Sequence, residues 1–456
     1  MNQPHWTELS HSECSNIVRS LDASSRRPPE RNFDLSEAFD RIVQCLDPHQ
    51  IKVYAVAITG GFTAAVAIIS DTVSPSKTAV RGAGKGLIGD AVTGALAELA
   101  EHFFSGPDMD LDDADLRWGD GAALSDVAQY EPSIARIFAG SPSANLLCGA
   151  FRPIGLSDKS ASSADVLIPV YLWAPWYGGI DVESSRIRRL VGDGTDYSAG
   201  VTSSVNSGCA FGCSEAEATL HALNELIERD ALSIAMRRLL RHLSGSADSA
   251  VLAAIRRVDL ASAVEDPDEL LGPMHSPSTD CANFSVYLFD ITSDVGIPVF
   301  LAVRKCLCGI GEAHTRFGMG CSLSRGYAAR RAVSELMQSA ILSQDDGIKE
   351  LSAYARRSLL NYPLLARVAN FEFPSCVLNS IHSFSGDSED MTKGMAVVDQ
   401  IEASVDKVRR AGFVPLSRVI RSFDNGCSVV QCQVPGFDRF NHVLDGRLAV
   451  PVPARF

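Results

Sequence analysis

The sequence lacks what a membrane-bound or nucleic-acid-binding protein would need. Its 456 residues carry a formal net charge of −14, whereas nucleic acids and anionic membranes attract clustered Lys and Arg. The most apolar stretch, 51–70, is interrupted by Lys52, Gly60 and Gly61, so it predicts two strands around a turn and not a membrane span. The first residues, MNQPHWTELSHSECS, lack the apolar core of a signal peptide. We therefore expect a cytoplasmic protein with neither membrane nor nucleic acid among its partners.

Two common site signatures are also missing. The twelve cysteines form no regular framework, which in a long chain without an export signal favours reduced thiols. Cys209 with Cys213 lacks the second pair that a zinc site needs, and so does Cys306 with Cys308. A Walker phosphate loop, G-x-x-x-x-G-K-[ST], does not occur. The segment GKG at 84–86 does supply a lysine, Lys85, that could reach a phosphate.

The pattern of elements predicts an α/β or α+β fold with mixed sheets and helices. Hydrophobic residues make up 46% and charged residues 21% of the chain, the balance of an ordinary globular protein. Helices are expected near 90–104, 214–243, 325–342 and 400–411. Asp34 and Ser214 are expected as helix caps, and Glu217 lies three residues after Ser214 in a capping-box arrangement. The segment 81–89 is expected as a glycine-rich connection and G-x-A-x-G at 208–212 as a loop. Strands are expected within 51–70 and at 146–151, 166–173, 285–290, 298–304, 416–421 and 429–434.

The domain organisation predicted from composition is simple. Residues 1–33 are polar and are expected to form a loosely docked tail. The main domain is expected over 34–456, because a chain of this length suits one large domain or two closely packed ones. Its motif-bearing core is 80–342, and the part from 343 to 456 ends in a proline-containing tail.

The most informative feature is a set of carboxylates on helices that are otherwise built from small and apolar residues. Buried anions destabilise a protein unless they are paired or bound to cations. A divalent metal held for a phosphate-bearing ligand would explain them, and close backbone amides at a helix start also favour phosphate. The residues are Glu98 and Glu101 on one helix, then Glu217, Glu225 and Glu228 on the next, within an arc of roughly 80°.

Each of these features also has an ordinary structural explanation. The acidic residues could form a solvated stripe, because most glutamates are exposed, and Lys85 could be solvated as well. Arg331 and Glu335 have the spacing of a common intrahelical ion pair. His221, one turn after Glu217, is interpreted as a structural or supporting residue.

Four sequence blocks, in this order, resemble the YcaO family. The first is GKG at 84–86 with ALAELAE at 95–101, and the second is SGCAFGCSEAEA at 207–218 running into ALNELIERDA at 222–231. The third is DITSDVGIPV at 290–299, and the fourth is GMGCSLS at 318–324 with RAVSELMQ at 331–338. The resemblance implies a YcaO-type catalytic domain that binds ATP and Mg²⁺ in a non-Walker site between helices.

The resemblance also implies roles for individual residues. The chain end, with Pro451, Pro453 and Phe456, is similar to a P-x-P-x-P tail that reaches the active site in cyclodehydratases of the family, although Arg455 stands where the third proline would fall. Nucleotide contacts are expected from Lys85, Ala97, Arg229 and Arg331. Magnesium ligands are expected from Glu98, Glu101, Glu217, Glu225, Glu228 and Glu335.

The activity implied is ATP-dependent cyclodehydration of a ribosomally made precursor peptide to thiazoline or oxazoline rings, in the biosynthesis of peptide antibiotics. A thioamide- or amidine-forming enzyme and a non-catalytic ATP- or peptide-binding subunit remain as alternatives. The expected partners are the precursor peptide, a separate leader-binding (E1-like) protein and an FMN-dependent azoline dehydrogenase. The resemblance leaves room for a homodimer within such a complex.

Overall fold

The computed structural model describes residues 6–22, 29–47, 49–57, 62–69, 79–107, 115–155, 165–264, 284–306, 315–342, 346–384 and 392–448. These residues form three sheets with helices packed between and against them. Strand pairs are antiparallel apart from one short parallel pair. The predicted fold class is confirmed, and the antiparallel pairing makes it α+β.

The strands divide among the sheets as follows. The first sheet has the order β1-β2-β3-β4, the second has the order β12-β11-β10-β9-β13, and the third has the order β5-β6-β14-β15-β8 with β7 also paired to β6. The bounds are β1 Thr7–Leu9, β2 Ile51–Ala57, β3 Thr63–Ile69, β4 Val80–Gly86, β5 Leu116–Gly119, β6 Leu146–Pro153, β7 Val166–Pro169, β8 Cys209–Gly212, β9 Arg256–Val258, β10 Phe284–Asp290, β11 Val299–Cys306, β12 Arg316–Cys321, β13 Ile381–His382, β14 Leu416–Ser422 and β15 Ser428–Gln433.

The helices connect and cover these sheets. Short 3₁₀ turns occur at Val170–Leu172, Val201–Ser203, Ser249–Leu252 and Phe440–Asp445. The α-helices are α1 His11–Asp22, α2 Leu35–Leu46, α3 Ile88–Phe104, α4 Ser125–Ala128, α5 Pro132–Gly140, α6 Pro175–Gly178, α7 Val182–Leu190, α8 Glu215–Leu243, α9 Leu260–Ala263, α10 Arg325–Leu342, α11 Asp346–Leu359, α12 Pro363–Ala369, α13 Ser375–Leu378 and α14 Val397–Arg410. Within the described residues, no helix combines the length and apolar character that crossing a membrane requires.

The long helix α8 is the centre of the molecule. It has 29 residues and packs on β8 and β15 of the third sheet and on β11 and β12 of the second. Most of its apolar side chains, among them Leu220, Leu223 and Ile227, are buried. A helix that is apolar on most sides lies inside a protein, so its carboxylates need a polar cavity.

Two strand–helix units repeat the same close packing. Helix α3 lies on β4 and helix α10 lies on β12. Each strand has a glycine at the contact, Gly82 in β4 and Gly318 in β12, and a Cβ atom added there would overlap the backbone of the helix. Gly82 faces the backbone of Ala95, Glu98 and Leu99, and Gly318 faces that of Ala332, Glu335 and Leu336. Glu98 and Glu335 therefore occupy equivalent positions on the two helices.

This packing explains two segments that the sequence left without regular structure. Of the segment 81–89, expected as a glycine-rich connection, residues 81–86 belong to strand β4. Of the G-x-A-x-G segment, expected as a loop, residues 209–212 form strand β8. Glycine is unfavourable in strands in general, but here it allows a helix to approach the strand. The strand expected over 166–173 ends at Pro169 and continues as a 3₁₀ turn.

The N-terminal residues differ from the loosely docked tail that was predicted. Strand β1 pairs with β2, and α1 buries Cys14 and Val18 completely. Residues 29–33 lead into Asp34, whose side chain caps α2 as expected by accepting a hydrogen bond from the N–H of Glu37 at 2.8 Å. Polar composition alone was a poor guide, because few apolar side chains suffice to dock a short helix.

Candidate functional site

The helices α3, α8 and α10 face one cavity of about 1540 Å³. It exceeds the ~300–1,000 Å³ of a typical small-molecule pocket, so it has room for a nucleotide and a second reactant. All the described residues predicted to bind nucleotide or metal line it. These are Lys85, Ala97, Glu98, Glu101, Glu217, Glu225, Glu228, Arg229, Arg331 and Glu335.

Helix α3 places Glu98 and Glu101 on the cavity side, one turn apart. Burial raises the pKa of Glu98, although His102, Lys85 and the N–H of Ala83 oppose this. Burial also raises the pKa of Glu101 well above its ordinary value, and the nearby carboxylates of Glu225 and Glu98 raise it further. The positive charge near these two carboxylates is too small to offset their burial, so a bound cation would stabilise their ionised forms.

The start of α8 is held by hydrogen bonds to its own first turn and to residues outside the helix. The Ser214 hydroxyl accepts a hydrogen bond from the N–H of Glu217 at 3.2 Å, as expected for a helix cap. The expected capping box is incomplete, because the Glu217 carboxylate accepts from the N–H of Cys213 at 3.2 Å and from the N–H of Asn32. Glu217 is therefore buried and held by backbone donors.

Further along α8, an arginine and two glutamates share the cavity wall. Arg229 Nε donates to Glu225 Oε1 at 2.8 Å, and the other Glu225 oxygen accepts from the N–H of Gly208 at 3.2 Å. Gly208 has φ = +79°, a conformation that favours glycine. Burial and the neighbouring Glu335 carboxylate raise the pKa of Glu228 to about 8. A metal-free Glu228 therefore holds a proton at neutral pH.

Helix α10 completes the cavity. The intrahelical pair considered for Arg331 and Glu335 is not what forms. Glu335 Oε2 lies 3.4 Å from Lys85 Nζ of β4, and Arg331 Nη1 lies 3.4 Å from Glu30 Oε2. Lys85 thus links the two equivalent strand–helix units across the cavity.

The cavity suits a metal that brings some of its own ligands. Among the described residues, no three His, Cys, Asp or Glu side chains form a ready-made metal cage. Mg²⁺ commonly takes one or two carboxylates together with phosphate oxygens and water. Buried carboxylates with raised pKa, on several sides of a polar cavity, fit that mode of binding.

Several cavity residues were not predicted from the sequence. Arg31 lines the cavity, and together with Arg331 and Lys85 it lowers the pKa of the half-buried His221, after the larger effect of desolvation. The Nδ1 atom of His221 has no hydrogen-bond partner among the described residues. Arg31 lies three residues before the Asp34 cap, and this position could have indicated that it is ordered. It was not considered because residues 1–33 were predicted to form a loosely docked tail.

The predicted catalytic residues Pro451, Pro453 and Phe456 lie outside the described residues. The preceding turn, Phe440–Asp445, packs against α8. Arg229 is close enough to affect its titratable groups. The pKa of His442 is lowered to about 3 by burial and by Arg439, Arg447 and Arg229. The last described residues thus lie near the Arg229 side of the cavity.

Comparisons with known proteins agree with this architecture. The family model for the YcaO cyclodehydratases, described as ATP- and Mg²⁺-binding, matches residues 190–438. An uncharacterised protein in the tfuA 3′ region of Rhizobium leguminosarum bv. trifolii is 30% identical over 195 residues, which are 41% of this chain and 40% of that protein. The chain therefore spans less than half the length of that curated relative.

Two solved structures share the fold. A heterocyclase in complex with substrate and cofactor superposes with a TM-score of 0.60 at 16% identity, over 93% of this chain and 56% of that one. The YcaO protein of Methanopyrus kandleri, bound with AMPPCP and Mg²⁺, superposes with a TM-score of 0.59 at 14% identity, over 93% of this chain and 96% of that one. The family match covers more than half of the chain. The chain therefore belongs to the YcaO family, whose cofactors are ATP and Mg²⁺.

Proposed function

We propose that the protein is an ATP-dependent cyclodehydratase that forms thiazoline or oxazoline rings in a ribosomally made precursor peptide. The observation that carries this is the convergence of Glu98, Glu101, Glu228, Glu335 and other charged residues on one cavity. The heterocyclase with which the chain shares its fold is described as bound to substrate and cofactor.

In the proposed reaction, a Cys, Ser or Thr side chain of the substrate attacks the preceding amide carbonyl. The resulting oxyanion attacks the γ-phosphorus of ATP, and ADP leaves. The C–O bond to phosphate then breaks while the nitrogen loses its proton and a C=N bond forms. Thus the amide oxygen leaves as phosphate. The contribution of the protein is positioning and charge neutralisation.

The proposal assigns the cavity residues to two groups. Bound Mg²⁺ would neutralise the phosphates and reach the carboxylates of α3, α8 and α10. Arg229, Arg331 and Lys85, the last presented by β4, would contact the nucleotide, whose approach beside α3 is eased by the small Ala97. The tail with Pro451, Pro453 and Phe456 would then orient the attacking side chain or carry a proton.

The proposal extends to organisation and partners. We assign the catalytic unit to the main domain together with the docked N-terminal elements, because β1 belongs to the first sheet. The leader peptide would be delivered by a separate E1-like protein, and a separate FMN-dependent dehydrogenase would oxidise azolines to azoles. The product would belong to a modified-peptide antibiotic.

The decisive experiment compares Glu228→Ala with the wild-type enzyme in the presence of precursor peptide and partner protein. The proposal predicts that wild type releases ADP and that the peptide loses the mass of one water per ring, whereas Glu228→Ala does neither. Glu372→Gln is a matched control, because Glu372 forms an exposed pair with Arg367. Full activity of Glu228→Ala would refute the assignment of the carboxylates.

The same mass measurement separates azoline formation from a thioamide product and from a non-catalytic subunit, whereas an amidine ring also forms with the loss of water and is identified by fragmentation of the product. A thioamide-forming enzyme would exchange oxygen for sulfur in the peptide, and an amidine-forming one would use a backbone or terminal nitrogen as the nucleophile. A non-catalytic subunit would bind ATP without turnover when all partners are present. A product that has lost the mass of water excludes both the thioamide-forming enzyme and the non-catalytic subunit.

A further inference from the structure

Glu30 is a buried carboxylate that the proposed chemistry does not use. It lies in residues 29–33, here termed the strap, which lead into α2. Its side chain is 3% exposed, and its φ of +66° is rare for a residue other than glycine. A non-glycine residue persists in that conformation only where its surroundings hold it there.

Three donors hold the Glu30 carboxylate, one from α8, one from α10 and one from the turn between β12 and α10. Oε1 accepts from the Ser322 hydroxyl at 2.6 Å and from Asn224 Nδ2 of α8 at 3.3 Å. Oε2 lies 3.4 Å from Nη1 of Arg331 in α10. Glu30 itself does not line the cavity, whereas Arg331 does. The carboxylate therefore contacts the cavity-lining arginine without itself lining the cavity.

A second strap residue fixes the start of α8. The side-chain amide of Asn32 donates to the Ser214 hydroxyl at 2.7 Å, and its backbone N–H donates to Glu217. The strap thus contacts the cavity-facing ends of both α8 and α10. Arg31 lies between these two anchors and lines the cavity.

This geometry indicates that Glu30 supports Arg331 and does not compete with the nucleotide for it. A carboxylate that blocked Arg331 in place of a phosphate would have to lie in the cavity and leave easily. Glu30 instead lies beneath the cavity wall and has three partners, one of them Ser322, which is fully buried. Arg331 Nη1 is shared between Glu30 and the carbonyl of Cys321 at 3.4 Å, which limits how the guanidinium can turn.

We propose that Glu30 is a positioning residue of the nucleotide site, which orients the Arg331 guanidinium toward the phosphates of ATP. The inference rests on the proposed function, since it takes Arg331 as a nucleotide contact. It makes the strap a part of the ATP site, although this segment is distant in sequence from the motifs that carry the family resemblance.

The test is the affinity of the full-length protein for AMPPCP with Mg²⁺, measured by titration calorimetry. Glu30→Gln keeps the shape of the side chain and removes its charge. We expect affinity to fall about tenfold, the effect of one charge-assisted hydrogen bond. If Glu30 merely balanced charge, its removal would free the positive charge of Arg331 and tighten binding. Unchanged or tighter binding would therefore overturn the inference.

A double-mutant cycle shows whether Glu30 acts through Arg331. In an Arg331→Gln background, Glu30→Gln should cause no further loss, because the residue that it orients is already gone. An equal loss in both backgrounds would overturn the inference. If Glu30→Gln fails to fold, Ser322→Ala replaces it in the test. This variant removes one donor to Glu30 and keeps the charge of Glu30, and it should also lower the affinity for AMPPCP with Mg²⁺. Unchanged affinity in Ser322→Ala would then count against it.

Two further measurements separate this inference from the proposed function. Glu372→Gln should bind the analogue as wild type does, and thermal unfolding of each variant shows whether it is folded. If wild type itself fails to bind AMPPCP with Mg²⁺, the proposed function and the inference both fall. If wild type binds and Glu30→Gln binds equally well, only the inference falls.

Discussion

At the scale of single residues, Glu228 is the carboxylate whose environment predicts a measurable proton effect. Burial and Glu335 raise its pKa to about 8, so at pH 7 the metal-free side chain is mostly protonated. A metal ligand must be deprotonated, and binding therefore releases a proton. We expect the affinity for Mg²⁺ with AMPPCP to fall as the pH drops from 8 to 6.

Calorimetry in two buffers of different ionisation enthalpy measures this proton directly. The apparent binding enthalpy of wild type at pH 7 should depend on the buffer, and that of Glu228→Gln should depend on it less. An identical enthalpy in both buffers would show that no proton leaves on binding, and it would contradict the assignment of Glu228 as a ligand.

Asp290 has a lowered pKa, in contrast to Glu228, and it forms an ion pair with Arg325 at the start of α10. Its carboxylate is 3% exposed and lies 3.0 Å from both Arg256 and Arg325. Burial acts to raise its pKa, but hydrogen bonds from Thr292 and Arg325 outweigh this, so the pKa lies below its ordinary value. Such a group stabilises the fold above its ordinary pKa, and this contribution is lost as pH falls through the pKa of the folded state.

The corresponding prediction concerns Asp290→Asn. Asp290 is buried, whereas its partner Arg256 is 51% exposed and can be solvated when the carboxylate is lost. The variant should therefore lose about 1.5–3 kcal/mol of stability at pH 7, the size of hydrogen bonds to a charged group. Denaturant unfolding at pH 7 and at about pH 3 measures the difference. The gap to wild type should narrow in acid, where the wild-type carboxylate also loses its charge. A gap that stays constant would contradict the pairing.

At the scale of elements, the close contact of α10 with β12 sets the position of Arg331 and Glu335. A Cβ at Gly318 would overlap the backbone of Leu336 and Ala332, so Gly318→Ala must push the helix away from the strand. Overpacking of this kind costs about 1–3 kcal/mol. We expect lower stability in urea and weaker binding of AMPPCP with Mg²⁺, because both charged side chains move.

Gly326 provides the matched control on the same helix. A Cβ there would meet nothing within 4 Å, and alanine is favoured over glycine in a helix by up to about 1 kcal/mol. Gly326→Ala should therefore be as stable as wild type or more so. If Gly318→Ala unfolds at the same urea concentration as Gly326→Ala, the close packing of α10 on β12 is refuted.

Sequence patterns located the helices expected near 90–104, 214–243, 325–342 and 400–411 because their signals are local, whereas α1, α7 and α11 were not predicted. The Ser214 cap and continuous helical spacing predicted α8, and α10 was placed at its observed bounds. Strand β4 was missed because glycine is unfavourable in strands. Its glycines make room for the helix α3 that packs on the strand, and this packing is visible only in the folded structure. The position of Glu30 is determined by Ser322 and Asn224, which are distant in sequence, so no local pattern could indicate it.

The same reasoning separates what was predictable in the candidate site. Residues that repeat on helices, such as Glu98, Glu228 and Glu335, were recognisable from spacing and from family resemblance together. Their pairing was not. Glu335 contacts Lys85 and Arg331 contacts Glu30, and both contacts depend on how separate sheets are arranged around α8.

At the scale of the whole molecule, the protein is acidic, and its cavity combines buried carboxylates with arginines and a lysine. Such a cavity should bind the nucleotide and the metal together, because the phosphates repel the carboxylates unless a cation lies between them. We expect ATP with Mg²⁺ to raise the melting temperature, since a ligand that binds the folded state stabilises it. ATP with EDTA should have little effect, and equal stabilisation with and without Mg²⁺ would contradict a shared site.

The crystal structure of the full chain with AMPPCP and Mg²⁺ tests the central claim most directly. The account predicts phosphates in the cavity between α3, α8 and α10, with metal ions between them and the carboxylates of Glu98, Glu228 and Glu335. Phosphates bound at another surface, or metal ions that contact none of these carboxylates, would contradict it.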